Sequence, residues 1–518
     1  LLQGPFDVGS EMIQRDGVME IMVAMAASKD EKLQIVSTEA IIHTASKKKH
    51  CLGVLSAGVP ILKELYKSKN VTERVRVRAL VGLCKFGCYG GTDASIRAFA
   101  EGSNIRLASE IRRFLLNAQK DADIRKWAAE GLGYLTLDAD VKEALCEDEE
   151  ALKAVIQTAK TMDTSMYYGY ASIFVNLTNS YYKDEPPKEL VDLARFAKQH
   201  VPEEHLKDAP EYVVKRVKLL LKLGVVTSLV FMSNKTDSNA VKELLSRTFL
   251  ALTENEKDRG LIIQQGGAKA CILLANNGNE EGKTQAAQAL AKIAITNNPE
   301  IAFPGQRCLE VVRPLIQLLH VEKTGLQNFE SLMALTNLAQ VSDSVRNRIV
   351  KEKGIPAIEN YLFEDHDMIR RAAAECMCNL IVNEEVFESH LRENDKVKLL
   401  TVLCGMEDPD LVQACAGTLA ILSHNEIACK KITALKSWLE TLQQMCLSER
   451  TQIQHRALYI TGNMIACDKD IAIKIIESKL LEILMVLSKE AKDETIKELA
   501  LKALHEAAEM KLIKPVAH

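Results

Sequence analysis

The stretch IRRAAAECMCNLIV, residues 369–382, sets a single amide, Asn379, near the end of a mostly apolar run. Its apolar residues recur at the i, i+3, i+4, i+7 spacing that puts side chains on one face of a helix. At 100° per residue, Asn379 falls just off the edge of that face. The pattern therefore predicts a helix with a buried apolar stripe and an amide at the border of the stripe.

The same register returns along the chain. ALTNL (334–338) precedes CMCNL (376–380) by 42 residues, and TLAIL (418–422) and ITGNM (460–464) follow at further steps of 42. Self-similarity at this period is typical of helical solenoids of the armadillo or HEAT kind. The repeat explains the amide, because stacked repeats bring equivalent positions into a ladder along one concave face.

A glycine followed by an apolar segment also recurs, at Gly17, Gly58, Gly267 and Gly354, and predicts a turn at each place. Such a turn, followed by an apolar helix and then by a helix ending in Asn, favours the armadillo type. We therefore predict an all-α fold, an armadillo-repeat right-handed solenoid.

One proline-rich stretch breaks the period. Residues 183–210 contain Pro186, Pro187, Pro202 and Pro210, which exclude one continuous helix. The sequence thus predicts an armadillo segment at 1–182, a linker or neck at 183–210, and a second armadillo domain at 211–518.

The ladder positions and the side chains one and two helical turns before them would form the wall and floor of a groove. A ladder amide can bind the backbone of the next repeat or the backbone of a bound extended chain, and the sequence leaves both uses open. The floor mixes apolar, aromatic and charged groups, which favours a mixed polypeptide surface as the ligand. The predicted binding residues are Phe329, Met333, Asn337, Arg371, Glu375, Asn379, His455, Tyr459 and Asn463.

Composition excludes several other functions. The 66 basic and 70 acidic residues give a net charge of −4, so we expect no general attraction to nucleic acid or membrane. The 13 cysteines are scattered through helical patterns, which favours free thiols in a reducing cytosol or nucleus over a disulfide framework. No catalytic, metal-binding or phosphate-loop motif occurs, so we predict neither an enzyme nor a cofactor. The sequence opens on Leu1 rather than Met, so we expect further chain before it.

Several longer segments resemble the UCS-domain myosin chaperones. They are KTQAAQALAKIAITNNPE (283–300), GLQNFESLMALTNLA (325–339), MIRRAAAECMCNL (368–380) and QHRALYITGNM (454–464). Residues 211–518 would then be the UCS domain. The preceding segment, including LLQGPFDVG (1–9), is similar to the family's central armadillo region.

The resemblance implies a co-chaperone that recognises the myosin motor domain and helps it to fold or to avoid aggregation. It also implies cooperation with the ninety-kilodalton heat-shock chaperone through an N-terminal tetratricopeptide domain. Because these 518 residues hold no such domain, we expect that chaperone to dock mainly through a part absent here. The implied location is the cytoplasm, with association to the sarcomere for a muscle isoform.

Two other functions remain possible for such a fold: a transport adaptor resembling the nuclear-import armadillo receptors, and a static scaffold. Import receptors place a Trp one turn before each ladder Asn. Here the chain has only Trp127 and Trp438, and the corresponding residues are Met333, Glu375 and Tyr459. The pattern therefore argues against import.

Overall fold

The computed structural model describes residues 12, 15, 17–44, 48–88, 99–182, 187–201 and 203–514. Within these ranges the chain folds into α-helices and short 3-10 turns, and no strand forms. The all-α prediction is confirmed. The segment LLQGPFDVG, used for the resemblance above, lies outside the described residues.

Contacts group the chain into two compact units, unit 1 (residues 1–289) and unit 2 (residues 290–518), with their boundary inside one long helix. The helices of unit 1 are α1 (Val18–Ala26), α2 (Glu31–Thr44), α3 (Lys48–Lys67), α4 (Glu73–Gly87), α5 (Ser103–Leu116), α6 (Ala122–Leu135), α7 (Ala139–Glu147), α8 (Glu149–Thr158), α9 (Tyr167–Leu177), α10 (Lys188–Phe196), α11 (Pro210–Lys222), α12 (Val225–Lys235), α13 (Asn239–Leu252), α14 (Arg259–Gln264) and α15 (Gly267–Asn277). The boundary helix is α16 (Glu280–Thr296).

Unit 2 continues the pattern of short helices that pack against a longer one. Its helices are α17 (Pro299–Ala302), α18 (Arg307–Glu310), α19 (Val312–Gln317), α20 (Gly325–Ala339), α21 (Asp343–Lys351), α22 (Gly354–Asn360), α23 (Asp367–Leu380), α24 (Glu384–Leu391), α25 (Lys396–Leu403), α26 (Pro409–Leu422), α27 (Glu426–Thr433), α28 (Trp438–Cys446), α29 (Thr451–Cys467), α30 (Lys469–Ile476), α31 (Leu480–Glu490) and α32 (Glu494–Glu509).

Buried apolar side chains recur with the 42-residue period. Leu338, Leu380, Leu422 and Met464 follow each other at this spacing, and all four side chains are fully buried. They lie on α20, α23, α26 and α29, which pack against one another in chain order and are called the ladder helices below. Each repeat therefore buries its apolar stripe against its neighbours.

Polar side chains fix where two of the four ladder helices, α20 and α26, begin. Thr324 and Gln327 form a reciprocal capping box at the start of α20. Asp408 accepts hydrogen bonds from the backbone N–H groups of Asp410 and Leu411 at the start of α26. These two local signals start α20 and α26 in the register that the buried stripe requires.

The predicted glycine turns had different outcomes. Gly17 takes the left-handed conformation, with φ of 85°, before α1. At the third site Gly266, just before Gly267, takes it. Before α22 the left-handed residue is Lys353, while Gly354 is needed for space, since a Cβ there would lie 2.8 Å from Ile349 Cγ2.

The turn predicted at Gly58 was wrong, because α3 runs through this position from Lys48 to Lys67. Val59, Leu62 and Leu65 are buried on one face of that helix. Their burial outweighs the breaking tendency of the nearby Gly58 and Pro60.

In the proline-rich stretch, Pro187 precedes α10 and Pro210 opens α11, where a missing backbone N–H costs nothing. Between them α10 buries none of its residues. The stretch is tied down at Asp208, which is 3% exposed and lies 2.7 Å from Lys142 Nζ. The three-part division at 182/183 and 210/211 stays a prediction.

Taken singly, each described helix is too short or too polar to span a bilayer. The pair α11 and α12, bent by 75°, reaches the required length and apolarity together.

Candidate binding surface on the ladder helices

All nine predicted binding residues lie on three of the four ladder helices. Between α23 and α29, the helix α26 carries Gln413, Gly417 and Ile421 at the matching positions. The nine residues are distributed as Phe329, Met333 and Asn337 on α20, Arg371, Glu375 and Asn379 on α23, and His455, Tyr459 and Asn463 on α29.

The ladder asparagines, Asn337, Asn379 and Asn463, each use their amide nitrogen to hold the preceding repeat. Asn337 Nδ2 donates to the backbone oxygens of Ala294 and Ile295, at 3.0 and 3.1 Å. The last four carbonyls of a helix have no partner inside it, and these two belong to the last turn of α16. The amide therefore caps the end of a neighbouring helix.

The other two ladder asparagines act in a similar way. Asn379 Nδ2 donates to the oxygen of Thr336, in the last turn of α20, at 3.0 Å. Asn463 Nδ2 donates to Ser423 Oγ at 2.9 Å, and that hydroxyl in turn donates to a backbone oxygen of α26. All three ladder asparagines thus use their amide nitrogen to bind the preceding repeat.

The side-chain oxygen of each ladder asparagine has no hydrogen-bond partner within the described residues. None of the three carbonyl oxygens, Oδ1 of Asn337, Asn379 and Asn463, accepts a hydrogen bond from any residue that the structure describes. All three residues are half-buried rather than enclosed. Each ladder asparagine therefore offers its Oδ1 as an acceptor, whose orientation is already fixed by the hydrogen bond that Nδ2 makes.

A cleft of about 190 Å³ lies between these helices. It contains two of the predicted residues, Glu375 and Asn379, and its further lining is Thr336, Gln340, Cys378, Asp410, Gln413, Ala414 and Arg456. Burial, and then the negative charge of Asp410, raise the pKa of Glu375. The cleft is therefore polar, with acidic groups facing one guanidinium.

Arg456 was missed by the sequence reasoning, although it adjoins His455. Its guanidinium lies across α26, where Nη1 donates to the backbone oxygen of Gln413. A Cβ at Gly417 would stand 3.1 Å from Arg456 Cζ and 2.6 Å from Cys378 Sγ. The signal was present in the sequence as a glycine in the middle of α26, which leaves room for a large neighbour.

Arg371 is held by carboxylates of the next repeat. Its Nε lies 2.6 Å from Asp408 Oδ2, and its Nη1 lies 3.5 Å from Asp410 Oδ2. The hydrogen bond to Asp408 raises the pKa of Arg371. Sequence analysis placed Arg371 in the floor but could not show this link between α23 and the start of α26.

The aromatic residues form a small stack on α29. The rings of His455 and Tyr459 are parallel within 9°, with centroids 6.4 Å apart. Tyr459 Oη lies 2.9 Å from His424 Nε2. Phe329 and Met333 are half-buried on α20 and do not line the 190 Å³ cleft. The structure therefore puts the nine residues on one row of helices, but in three separate local environments.

Chemically reactive groups are few on this surface. Burial raises the pKa of Cys376 to about 12, and burial likewise raises the pKa of Cys378. These thiols are neutral near pH 7. In the described ranges no three His, Cys, Asp or Glu side chains are grouped as a metal site would require.

The surface and the repeat together define an armadillo-type helical-repeat protein with an asparagine ladder along one row of helices. The family model described as "Myosin-binding striated muscle assembly central" (UNC45-central) matches residues 1–111. Protein unc-45 homolog B from Xenopus tropicalis is 51% identical over 498 residues, which is 95% of this chain and 54% of that protein. The chain belongs to the UCS-domain myosin chaperone family, and it spans about half the length of the curated relatives it matches.

Solved structures show the same fold. UNC-45 from Drosophila melanogaster superposes with a TM-score of 0.86 at 45% identity, covering 99% of this chain and 65% of that one. A crystal structure described as the myosin chaperone UNC-45 from C. elegans in complex with a Hsp90 peptide gives a TM-score of 0.80 at 39% identity, with coverage of 98% and 53%. These armadillo-like solenoids confirm the predicted repeat architecture.

Proposed function

We propose that the chain is the central and UCS part of a myosin-directed co-chaperone. On this proposal the ladder helices bind the myosin motor domain and promote its folding or protect it from aggregation. The observation that carries the proposal is the state of the ladder asparagines, whose nitrogens are used by the scaffold while their Oδ1 atoms remain unpaired within the described chain. Myosin is proposed as the client because the family model that matches residues 1–111 is described as myosin-binding, and because the similar UNC-45 chaperone is described as binding and folding muscle myosin.

An extended or loosely folded segment of a client suits this geometry. A strand-like segment presents backbone N–H groups, and a row of fixed acceptors can take them without rearranging the protein. Hydrogen bonds to backbone do not depend on the client's sequence. The ladder would therefore supply affinity, while the side chains beside it supply selectivity.

The floor is suited to a mixed surface. Phe329 and Met333 offer apolar area, and the stacked His455 and Tyr459 offer aromatic faces with polar edges. The cleft adds the carboxylate of Glu375 and the guanidinium of Arg456. No single charge dominates, which agrees with a partly folded protein as ligand rather than a basic or acidic peptide.

We propose no catalytic activity and no cofactor for the chain, and we place its action in the cytoplasm, at the sarcomere in muscle. The crystal structure of C. elegans UNC-45 with a Hsp90 peptide supports cooperation with the ninety-kilodalton heat-shock chaperone. For this protein, we propose that such cooperation runs mainly through a domain that these 518 residues do not contain.

The direct test is a thermal aggregation assay on a purified myosin motor domain. Light scattering is followed at a denaturing temperature with and without an equimolar amount of the chain. We expect the chain to delay scattering of a muscle or a non-muscle motor domain, and the better-protected one identifies the client class. No delay with either motor domain, together with no binding in a pull-down, would refute the proposal.

The same assay separates the alternatives. A transport adaptor would retain a basic localisation peptide in a pull-down and leave motor-domain scattering unchanged. A static scaffold would bind the motor domain, yet substitutions in the cleft would not change how much of it stays soluble.

A further inference from the structure

Unit 1 contains a second cleft that the proposed function does not use. It has a volume of about 350 Å³ and lies where α6, α9 and α13 run beside one another. Four tyrosines, two glutamates and one arginine are part of its lining: Tyr134, Tyr168, Tyr181, Tyr182, Glu130, Glu243 and Arg247. In a chain with only 5% aromatic residues, this is a concentrated aromatic site.

The cleft exists because two helices approach closely. A Cβ at Gly169 would lie 2.8 Å from the backbone carbon of Ala129 and 2.9 Å from the nitrogen of Glu130, so only glycine fits there. This contact puts Tyr168, the residue before Gly169, on the wall of the cleft. Its side chain is 53% exposed.

On one wall of the cleft, the charged side chains already pair with other residues of the chain. Arg247 Nη2 lies 2.8 Å from Glu243 Oε1, and the same guanidinium lies over the ring of Tyr182 at 5.9 Å from its centroid. The second oxygen of Glu243 accepts a hydrogen bond from Asn279 at 2.7 Å. Carboxylate, ring and guanidinium are thus already combined on this wall.

The opposite wall has a carboxylate and two rings, and its cation, Lys85, lies over the ring of Tyr134, with Nζ 5.1 Å from the ring centroid, rather than in an ion pair with the carboxylate. Glu130 accepts a hydrogen bond from Tyr134 Oη at 2.7 Å and forms no ion pair with any described residue. Burial, followed by the negative charges of Glu130 and Glu243, raises the pKa of Tyr168. The hydroxyl of Tyr168 therefore lies in the field of both carboxylates.

A side-chain oxygen suited to accept a backbone N–H group lies beside this wall. Asn176, near the C-terminal end of α9, also lines the cleft. Its Nδ2 donates to the oxygen of Gly133 at 2.8 Å, and its Oδ1 accepts no hydrogen bond within the described residues. The site thus combines one oriented side-chain amide oxygen with a wall that carries the carboxylate of Glu130 and the ring of Tyr168.

We propose that this cleft binds an arginine side chain of an extended polypeptide, with Glu130 pairing its guanidinium, Tyr168 stacking on it and Asn176 accepting a backbone N–H. A guanidinium is planar and weakly hydrated, so it stacks on aromatic rings and pairs with carboxylates better than an ammonium does. The inference concerns unit 1 alone and does not depend on the proposed function of the ladder helices.

The test uses the full chain and three dye-labelled peptides in a glycine-serine context, with a central arginine, a central lysine or the neutral isostere citrulline. Fluorescence anisotropy should show binding of the arginine peptide about tenfold tighter than of the citrulline peptide, and tighter than of a lysine version. Glu130→Gln, which can still accept from Tyr134, should remove this preference. Glu150→Gln on the exposed start of α8 is the matched control and should keep it.

The role of the ring is tested separately. Tyr168→Phe retains the aromatic face and should bind the arginine peptide normally, whereas Tyr168→Ala should weaken binding about fivefold or more. Equal binding of the arginine and citrulline peptides, no binding of either, or an unchanged preference in a folded Glu130→Gln variant would each overturn the proposal.

Discussion

The side-chain nitrogen of Asn379 donates a hydrogen bond to the backbone oxygen of Thr336, one repeat earlier, at 3.0 Å. Asn379 therefore caps the last turn of its neighbour's helix, because the Thr336 carbonyl is one of the last four of α20, which have no partner inside the helix. The same amide keeps its oxygen available. Scaffold and proposed binding site share one side chain.

This bond should be measurable in stability. Replacing Asn379 by Ala leaves the Thr336 carbonyl unpaired, which should lower the free energy of unfolding by about 1–3 kcal/mol. Asn379→Asp should cost at least as much, since a carboxylate oxygen would face the carbonyl. Urea unfolding followed by circular dichroism measures both.

The control for that substitution is Asn234→Ala. Asn234 is exposed and its amide bonds only to Val230 of its own helix. If Asn379→Ala costs no more than this control, the ladder bond does not stabilise the repeat.

A glycine pair tests the placement of Arg456. Gly417→Ala puts a methyl group 2.6 Å from Cys378 Sγ and 3.1 Å from Arg456 Cζ, so it should destabilise the chain by about 1–3 kcal/mol despite alanine's better helix propensity. Gly462→Ala is the matched change on α29, where the new Cβ meets Ala503 at 3.8 Å. It should be neutral or stabilising by up to about 1 kcal/mol. Melting temperatures that move the same way for both would contradict this packing.

Removing the carboxylate of Asp208 from the buried charge cluster of unit 1 should lower the free energy of unfolding. Asp208 Oδ1 lies 2.7 Å from Lys142 Nζ and 3.5 Å from Arg216 Nη2, and all three side chains are almost fully buried. Asp208→Asn leaves two buried cations with less compensation and should cost about 3–5 kcal/mol in urea unfolding.

An exposed ion pair provides the comparison. Lys222 and Glu149 lie 3.0 Å apart, with side chains 66% and 51% exposed. Glu149→Gln should cost no more than about 1 kcal/mol. Similar losses for Asp208→Asn and Glu149→Gln would mean that burial of the Asp208 cluster does not matter energetically.

Unit 2 should lose stability in mild acid through His390. Its ring is 2% exposed, with Nδ1 2.8 Å from the oxygen of Val386, and burial, with help from Lys396 and Lys431, lowers its pKa. The unfolded chain therefore takes up a proton below pH about 6.5 while the folded chain resists it. Stability is complete above that pH and falls as the pH drops towards the lowered pKa.

Melting curves between neutral and mildly acidic pH check this sign. The natural chain should lose more stability over that interval than a His390→Asn variant, which cannot titrate. An identical pH dependence of the two proteins would rule out His390 as the source.

The 42-residue period located the ladder helices from sequence because burial itself repeats: Leu338, Leu380 and Leu422 are spaced by that period and fully buried. Local turn chemistry was less predictive. A glycine and a proline failed to break α3, since tertiary burial of its apolar face decided the outcome.

The site was predictable only in part, because several of its contacts join residues roughly one repeat apart. The pairing of Arg371 with Asp408 and the capping of Thr336 by Asn379 need the stacking geometry, which no spacing rule contains. The position of Arg456 was implied by Gly417, yet a glycine alone does not say which neighbour fills the space.

If the ladder helices hold the client, changing two of their side chains should weaken its binding. The affinity of a labelled myosin motor domain is therefore measured for the natural chain and for the folded double variant Glu375→Lys with Asn379→Ala. Glu388→Lys, the same charge change at an exposed position of α24, serves as control. We expect binding about tenfold weaker for the double variant and unchanged for the control. Equal affinity of the natural chain and a folded double variant would contradict this expectation.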